Sequence, residues 1–326
     1  MKYSGIGGQA VLEGVMMKNG EKFAVAVRKQ DGNIEVKEDR RGSKTAETVN
    51  KIPLIRGVYN FVDSLVLGMS SITFSSEMYM EAIDEEPGRF EKFLTRVFGE
   101  KAEKIILGIT VVFSVILAIG IFTVLPFLIS MLFKNITDNH YLIALVEGVI
   151  RVAIFIAYIK LISCMEDIKR LFMYHGAEHK CINCIEHGLP LNVENVRKSS
   201  RQHKRCGTSF LLIVMVISIL FFMFIYTESP LLRLGLRILL IPAIAGVSYE
   251  FLRLAGRSDN VVVNILSKPG MWLQRLTTRE PEDEMIEVGI ASVEAVFDWK
   301  EYLTTNFGLE FPKEAEPENE VPGVAG

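Results

Sequence analysis

The sequence predicts a mainly α-helical, multispanning membrane protein. We expect four transmembrane helices in a bundle, a small N-terminal β-meander and further cytoplasmic helices. The first observation behind this prediction is composition, because 49% hydrophobic residues coexist with 36 basic and 39 acidic residues in a chain of 326. Such a mixture excludes a disordered chain and a disulfide-dense secreted domain. The other two observations are long uncharged runs and the alternation, along the chain, of connectors rich in lysine and arginine with connectors that contain few or none.

Four segments are long and apolar enough to be predicted as membrane spans. Residues 105–133 form a run of 29 positions without a charge, and residues 209–226 form a second uncharged run. A helix needs about 20 apolar residues to cross a bilayer. Two weaker spans, 141–165 and 231–255, contain charged residues. Because isolated charges are costly in lipid, we expect Glu147 in the first of these to pair with an arginine of a neighbouring span.

The distribution of basic residues predicts the orientation. Lysine and arginine are frequent before the first span and in the connector 166–208, whereas residues 134–140 contain one and residues 227–230 contain none. Basic connectors remain on the cytoplasmic side. Both termini and the connector 166–208 are therefore expected in the cytoplasm.

The N-terminal region, residues 1–50, is predicted as a cytoplasmic β-meander. Residues 11–17, 23–29 and 33–36 are rich in strand formers, and Asn19-Gly20 and Asp31-Gly32 lie between them. Asn-Gly and Asp-Gly pairs favour the positive φ angles of tight hairpin turns. The glycines at positions 7 and 8 are expected to form turns that lead into the meander.

The remaining regions are predicted as helices and a tail. Residues 51–104 should form amphipathic or membrane-associated helices, including one over 54–80, for which a fifth membrane crossing is the weaker alternative. Residues 105–255 hold the four spans, and residues 256–312 a cytoplasmic helical region. Within that region we expect a surface-lying or re-entrant element over 261–276, broken at Lys268-Pro269-Gly270, and one helix over 282–302. Residues 313–326 are predicted to be a disordered tail.

Candidate chemistry is concentrated in the connector. Within the 32 residues from 175 to 206 lie four of the five histidines and three of the four cysteines. The core string is His175-Gly-Ala-Glu178-His179, which has the H-x-x-E-H order of inverted zinc peptidases. Residues four apart share a helix face, so His175 and His179 are predicted to bind one divalent metal ion, with Zn²⁺ favoured. Glu178 is predicted to be the general base.

Three residues are candidates for a third ligand. Glu250 lies near the end of the last span, which returns to the cytoplasmic face beside the connector. The alternative for Glu250 is a surface charge paired with a nearby arginine. His203 and Cys206 are the other candidates, because both lie in the connector itself.

An alternative prediction for the same connector is a structural zinc site. The spacing Cys181-x-x-Cys184, 18 residues, and then His203-x-x-Cys206 is typical of structural zinc ribbons in which histidine replaces one cysteine. Zinc bound there would stabilise a loop and perform no chemistry.

Several separated strings resemble the YqhQ-like family of bacterial membrane proteins, which carries a domain of unknown function and the label "predicted metal-dependent enzyme". The strings are GGQAVLEGVMM (7–17), YHGAEHK (174–180), ENVR (194–197), HKRCGTSF (203–210) and YEFLRLAGR (249–257). The resemblance spans about residues 5–297. It implies a multispanning protein with a metal site, and it adds Gln9 and Glu13 to the candidate site residues. The cysteines at 181 and 184 lie outside this pattern.

The leading hypothesis is a metal-dependent hydrolase at the cytoplasmic face of the bacterial inner membrane. The alternative is a non-catalytic membrane scaffold or regulator with a structural or sensing Cys/His metal site, followed by a transporter or channel. The expected partners are the lipid bilayer and an anionic lipid or membrane-associated substrate, with no nucleic acid.

Overall fold

The computed structural model describes residues 2–42, 44–80, 99, 102–225, 227, 229–257 and 260–312. The described part is mainly helical, with one four-stranded antiparallel sheet. The strands are β1 (Ile6–Val11), β2 (Gly14–Asn19), β3 (Lys22–Arg28) and β4 (Ile34–Arg40). The helices are α1 (Lys44–Val49), α2 (Ile55–Met80), α3 (Ala102–Ile119), α4 (Leu125–Met131), α5 (His140–Ile162), α6 (Glu166–Glu186), α7 (Val193–Lys198), α8 (Gly207–Met223), α9 (Pro230–Leu239), α10 (Ile241–Arg257), α11 (Val261–Thr277), α12 (Asp283–Val296) and α13 (Trp299–Phe307). A π-helical stretch (Gly120–Val124) joins α3 to α4, and a 3-10 turn (Leu132–Asn135) follows α4.

The sheet is a meander in the order β1-β2-β3-β4. The Asn-Gly and Asp-Gly pairs between the predicted strands indicate this arrangement. Gly20 and Gly32 adopt φ angles of +61° and +87° in the two predicted turns. The structure contains one strand that was not predicted. Residues 6–11, where turns were expected at the glycines 7 and 8, pair with β2 through a two-residue turn. Glu13 lies in that turn with a φ of +47°. The glycines at 7 and 8 are therefore strand residues.

Helices cover both faces of the sheet at β2 and β3, whereas β4 is largely exposed. On one face, Val11, Met16 and Val25 pack with Leu67 of α2. On the other face, buried residues of β1, β2 and β3 such as Val15 and Ala24 pack against α6 and α12, which contribute Tyr174, Ala177, Cys181, Met285 and Val288. Burial on both faces explains why β2 and β3 are nearly continuous apolar runs.

The described residues contain two helices long and apolar enough to cross a membrane, Ile105–Asn135 and His140–Ile162. A third span results if Leu231–Leu239 and Ile241–Gly256, which meet at an angle of 41°, are taken together. The helix Gly207–Met223 is apolar but has only 17 residues. Two or three candidate spans, and not clearly four, are therefore present in this part of the chain.

A buried polar cluster connects three of these helices. The carboxylate of Glu147 on α5 accepts hydrogen bonds from Arg151, at 3.0 Å, and from Arg237 on α9. Arg151 also donates to the Ser218 hydroxyl of α8, at 2.7 Å. Glu147 is 2% exposed and Arg237 is 2% exposed. The predicted pairing of Glu147 with an arginine of a neighbouring helix is confirmed.

Two predicted elements near the C-terminus differ from the structure. The segment 261–276 is not broken, because Pro269 lies inside the continuous helix α11. Gly270 is instead a close-packing position, where an added Cβ would lie 2.9 Å from Cβ of Ser209 on α8. The segment 282–302 is two helices, because Asp298 caps α13 by accepting a hydrogen bond from the Glu301 amide. The helix predicted over 54–80 is present as α2, whereas the predicted tail lies outside the described residues.

Candidate metal centre

One polar stripe of α6 organises the site. The stripe consists of His175, His179, Asn183 and Glu186, which lie about one helical turn apart and are largely buried. Each of these side chains binds the loop 199–206 that leads into α8. Asn183, for example, donates from Nδ2 to the carbonyls of Ser200 and Gln202, at 2.6 and 2.9 Å. The connector is therefore closed into a compact unit by a single helix face.

The two histidines are held in the same tautomer. His175 donates from Nδ1 to the Thr277 carbonyl at 2.8 Å, and His179 donates from Nδ1 to the Arg201 carbonyl at 2.6 Å. A carbonyl oxygen only accepts, so Nδ1 carries the proton in both rings. Each Nε2 is consequently the atom available to a ligand or metal ion, and backbone carbonyls are common orienting partners of metal-binding histidines.

Cys206 lies beside the two imidazoles, and His175, His179 and Cys206 together are called the group below. It is the N-cap residue of α8, and its Sγ lies 3.1 Å from Nε2 of His175. Ligand atoms of His175, His179 and Cys206 all lie within 4.8 Å of one another. Nε2 of His179 is buried and has no hydrogen-bond partner among the described residues. The donor set of two imidazoles and one thiol fits Zn²⁺, which binds nitrogen and sulfur ligands.

The three groups perturb one another electrostatically. Burial disfavours a charged thiolate, but the imidazoles of His175 and His179 outweigh this effect and hold the pKa of Cys206 well below its usual range. Burial likewise disfavours an imidazolium, yet the thiolate beside it raises the pKa of His175 to about 9. The two imidazoles therefore favour the thiolate at Cys206, which is the form of cysteine that binds a metal ion.

Glu178 projects from α6 toward β1. Its carboxylate Oε2 lies 3.8 Å from Nε2 of His175. The side chain packs over Gly8, where an added Cβ would lie 2.7 Å from Cγ of Glu178. Burial raises the pKa of this carboxyl above its ordinary value. A carboxyl with a raised pKa beside a candidate metal site suits proton transfer near neutral pH.

The group opens onto a cavity of about 590 Å³. His175, Glu178 and Cys206 lie in its wall, and most of the other lining residues are apolar. A volume of this size is ordinary for a small-molecule site. Gln9 also lines this cavity and packs against Gly68 of α2.

Two candidate ligands lie outside the group. Glu250 accepts a hydrogen bond from Nε of Arg56 at 2.6 Å and forms an ion pair with the same guanidinium, so its partner is on α2. His203 lies beside His179, with ring centroids 5.7 Å apart, but its Nε2 faces Oε2 of Glu186 at 3.6 Å. Of the three third-ligand candidates, the structure brings only Cys206 together with the two histidines.

The zinc-ribbon arrangement does not form in the described part of the chain. Cys181 and Cys184 are fully buried in the core between α6 and α12. Cys184 donates to the Pro190 carbonyl at 3.5 Å, and burial raises the pKa of Cys181. Both thiols pack in the apolar core with residues of α12 and lie outside the group of His175, His179 and Cys206.

Glu13 is structural in this arrangement. Its carboxylate accepts two hydrogen bonds from Arg170, both at 2.6 Å, and one from the Tyr174 hydroxyl at 3.2 Å. These contacts attach the β1–β2 turn to α6. Glu13 does not line the cavity.

Sequence reasoning missed Glu186. This carboxylate accepts hydrogen bonds from the amide and hydroxyl of Ser4, at 2.9 and 2.7 Å, and pairs with Arg205. It therefore attaches the N-terminal segment and the loop before Cys206 to the same helix. The available signal was the spacing, because Glu186 follows His179 by seven residues and shares its helix face.

Fold and site together define a helical protein with apolar, membrane-type helices and a buried group of two imidazoles and one thiol. The chain belongs to the family described as "Protein of unknown function (DUF1385)", which matches residues 52–299. It is 35% identical to "Uncharacterized protein YqhQ" of Bacillus subtilis (strain 168) over 289 residues, 88% of this chain and 90% of that protein. The resemblance to the YqhQ-like family is thereby confirmed. No solved structure matches the chain.

Proposed function

We propose that this protein is a metal-dependent hydrolase at the cytoplasmic face of the bacterial inner membrane. His175, His179 and Cys206 are the proposed ligands of a divalent ion, with Zn²⁺ favoured, and Glu178 is the proposed general base. One observation carries the proposal: both histidines anchor Nδ1 on a backbone carbonyl, their ligand atoms lie within 4.8 Å of the Cys206 thiol, and Nε2 of His179 is buried without a hydrogen-bond partner among the described residues.

Three protein ligands and one open position characterise catalytic zinc sites, whereas structural sites have four protein ligands. A bound Zn²⁺ would polarise a substrate carbonyl and favour ionisation of water at the site. Glu178 would accept a proton from the attacking water and transfer it to the leaving group. The carbonyls of Thr277 and Arg201 hold the two imidazoles in the orientation that these roles require.

The proposal places the four spans of the sequence prediction in the bilayer. The 17-residue helix α8 packs against α5 and α11, so it would cross as a short span among longer neighbours. The bent pair α9 and α10 would be the fourth span, with the Glu147 cluster inside the bundle. Both termini and α6 would then lie in the cytoplasm, as basic connectors do.

A second candidate is a cysteine nucleophile without a metal ion. It is favoured by the 3.1 Å contact between Sγ of Cys206 and Nε2 of His175, and by the position of Cys206 at the N-terminus of α8. A nucleophile beside a base that a third group orients is the general arrangement for covalent catalysis. In that case the thiolate itself would attack the substrate.

Metal content decides between the two candidates. We expect the full chain, purified in detergent, to contain about one Zn²⁺ per chain by mass spectrometry of the metal. His179→Ala and Cys206→Ala should remove the metal, whereas Glu178→Gln should retain it. Cys184→Ala is the matched control, because it removes a buried thiol of the same segment outside the group.

Each alternative has its own outcome. Wild-type protein without metal, together with alkylation of Cys206 by iodoacetamide at pH 6, would refute the metal site and favour the nucleophile. Loss of metal in Cys184→Ala but not in His179→Ala would identify a structural Cys/His site and favour the scaffold or regulator. Retention of metal in Cys206→Ala would overturn the proposed ligand set.

A further inference from the structure

The cavity beside the site follows one edge of the sheet. Its wall includes Ile6, Gly7, Gly8, Gln9 and Ala10, the greater part of β1. A second cavity of about 290 Å³ shares the residues at positions 7–9 and extends to position 5. Together the two cavities accompany β1 over positions 5–10, a length of about 20 Å in an extended chain.

β1 is an edge strand, and the pairing register shows which of its backbone groups face away from β2. Val11 and Gly14 flank the two-residue turn and exchange hydrogen bonds with each other. In an antiparallel pair such residues alternate with residues whose N–H and C=O groups point outward. Ile6, Gly8 and Ala10 therefore present their backbone groups to the edge.

Part of this edge has a partner and part does not. The Ile6 amide donates to the Ser4 hydroxyl at 3.3 Å, and the Gly8 amide faces the Glu178 carboxylate. The hydrogen bonds of the described residues include none to the outward amide or carbonyl of Ala10. Polar backbone groups inside a largely apolar cavity need a hydrogen-bonding partner.

We infer that the substrate is an extended peptide with apolar side chains, which adds to β1 as a further antiparallel strand. This inference rests on the proposed function and specifies its substrate class. Main-chain hydrogen bonds to an exposed strand edge are an established way of binding peptides. The apolar side chains of the peptide would contact Phe61, Leu65, Phe210 and Leu211.

The apolar lining alone would also accept a hydrocarbon chain. An acyl chain, however, has no groups that hydrogen-bond the outward backbone of β1, so it would leave those groups unpaired in the cavity. A peptide strand supplies partners for the groups that remain open at Ala10, its outward amide and carbonyl. The location fits a peptide near the bilayer, because Leu65 and Leu211 are 54% and 42% exposed on apolar helices at the cavity wall.

The geometry also orients the bond to be cleaved. A peptide paired with Ala10 extends toward Glu178 and His175, because the Glu178 carboxylate occupies the Gly8 amide, the next outward amide along the same edge. In the reaction, the oxygen of water bonds to the peptide carbonyl carbon and the C–N bond breaks. One proton of the water passes through Glu178 to the amine that leaves, and the other fragment leaves as a carboxylic acid.

The test measures binding, so it does not depend on turnover. The probe is a fluorescein-labelled heptapeptide of alternating leucine and alanine, and its anisotropy is followed with the full-length Glu178→Gln protein in detergent. A second probe has N-methyl groups on alternate amides, which removes the donors that a strand needs. We expect N-methylation to weaken binding by about tenfold, as the loss of one or two hydrogen bonds does.

A protein variant tests the same edge. Ala10→Pro removes an outward amide of β1 and should weaken binding of the unmodified probe by about tenfold. Glu38→Pro is the matched control, because the register of β3 and β4 places its amide outward on the opposite edge of the sheet. This control should stay within about twofold of the parent protein.

Two results would overturn the inference. One is the absence of probe binding up to about 1 mM. The other is binding that N-methylation and Ala10→Pro leave unchanged and that oleate displaces, which would identify an acyl chain as the occupant. Metal content is measured separately, so peptide binding by a metal-free protein would refute the proposed hydrolase and retain the peptide site.

Discussion

Replacing Glu186 with glutamine removes a buried negative charge that joins three separate parts of the chain. The carboxylate is 0% exposed. It accepts hydrogen bonds from Ser4 and Arg205 and faces Nε2 of His203 at 3.6 Å. Glutamine has the same shape but no charge, so Glu186→Gln would leave the Arg205 guanidinium without its negatively charged partner.

The size of the effect follows from the proton affinity of the carboxyl. Burial disfavours the carboxylate, but His203, Arg205 and Ser4 outweigh burial and lower the pKa of Glu186 from 4.5 to about 2. Each factor of ten in proton affinity corresponds to about 1.4 kcal/mol, so the charged carboxylate stabilises the folded state by about 3 kcal/mol at pH 7. Because the folded-state pKa is lowered, this stabilisation is complete above pH 4.5 and is lost as the pH falls toward about 2. At pH 3 about 1.4 kcal/mol remains.

Thermal unfolding of the detergent-purified protein measures this difference. At pH 7 we expect Glu186→Gln to lower the Tm by about 4 °C for a chain of this length, and by less than half as much at pH 3. Glu194→Gln is the control, because Glu194 is an exposed residue paired with Lys198 on the surface of α7. Its Tm should change by less than about 1 °C. A Glu186→Gln effect that is as small as the control, or the same at both pH values, would refute the reasoning.

Three further predictions concern packing, the membrane bundle and the ligand set. Gly8→Ala should lower the free energy of unfolding by about 1–3 kcal/mol, because the added Cβ would lie 2.7 Å from Cγ of Glu178. Gly7→Ala is the control, because its Cβ meets open space and should change the Tm little. Equal effects of the two substitutions would contradict this packing. Glu147→Gln should cost about 3–5 kcal/mol in SDS-induced unfolding, because it leaves two buried arginines without their carboxylate, and a near-neutral result would show that the cluster is solvated. Glu250→Gln should retain the metal, since this carboxylate pairs with a guanidinium of α2, and metal loss would restore it as a ligand.

The helical regions and the hairpin turns could be predicted because their signals are local. A long uncharged run determines the helix that it forms, and the pairs Asn19-Gly20 and Asp31-Gly32 determine the turns in which they lie. β1 could not be predicted this way. Its glycines resemble turn residues, and it is a strand only because β2 pairs with it and α6 approaches it closely at Gly8.

The sequence predicts only part of the candidate site, again because only local spacing can be read from it. His175 and His179 share a helix face by spacing alone, so sequence placed them together. The third member is separated from them by a loop, and spacing could not distinguish Cys206 from His203 or Glu250. The choice depends on the loop 199–206, which bonds to α6 through Asn183 and Glu186 and brings the start of α8 to the two imidazoles.

The sequence by itself determined the family, the mainly helical class, the meander and the pair of histidines on one helix face. These properties follow from composition, short-range turn preferences and the 3.6-residue period of a helix. Only the tertiary structure decided that Cys206 joins the histidines, that Glu250 pairs with Arg56 and that β1 borders a cavity. Those contacts join residues distant along the chain, and they form where buried polar groups must find partners.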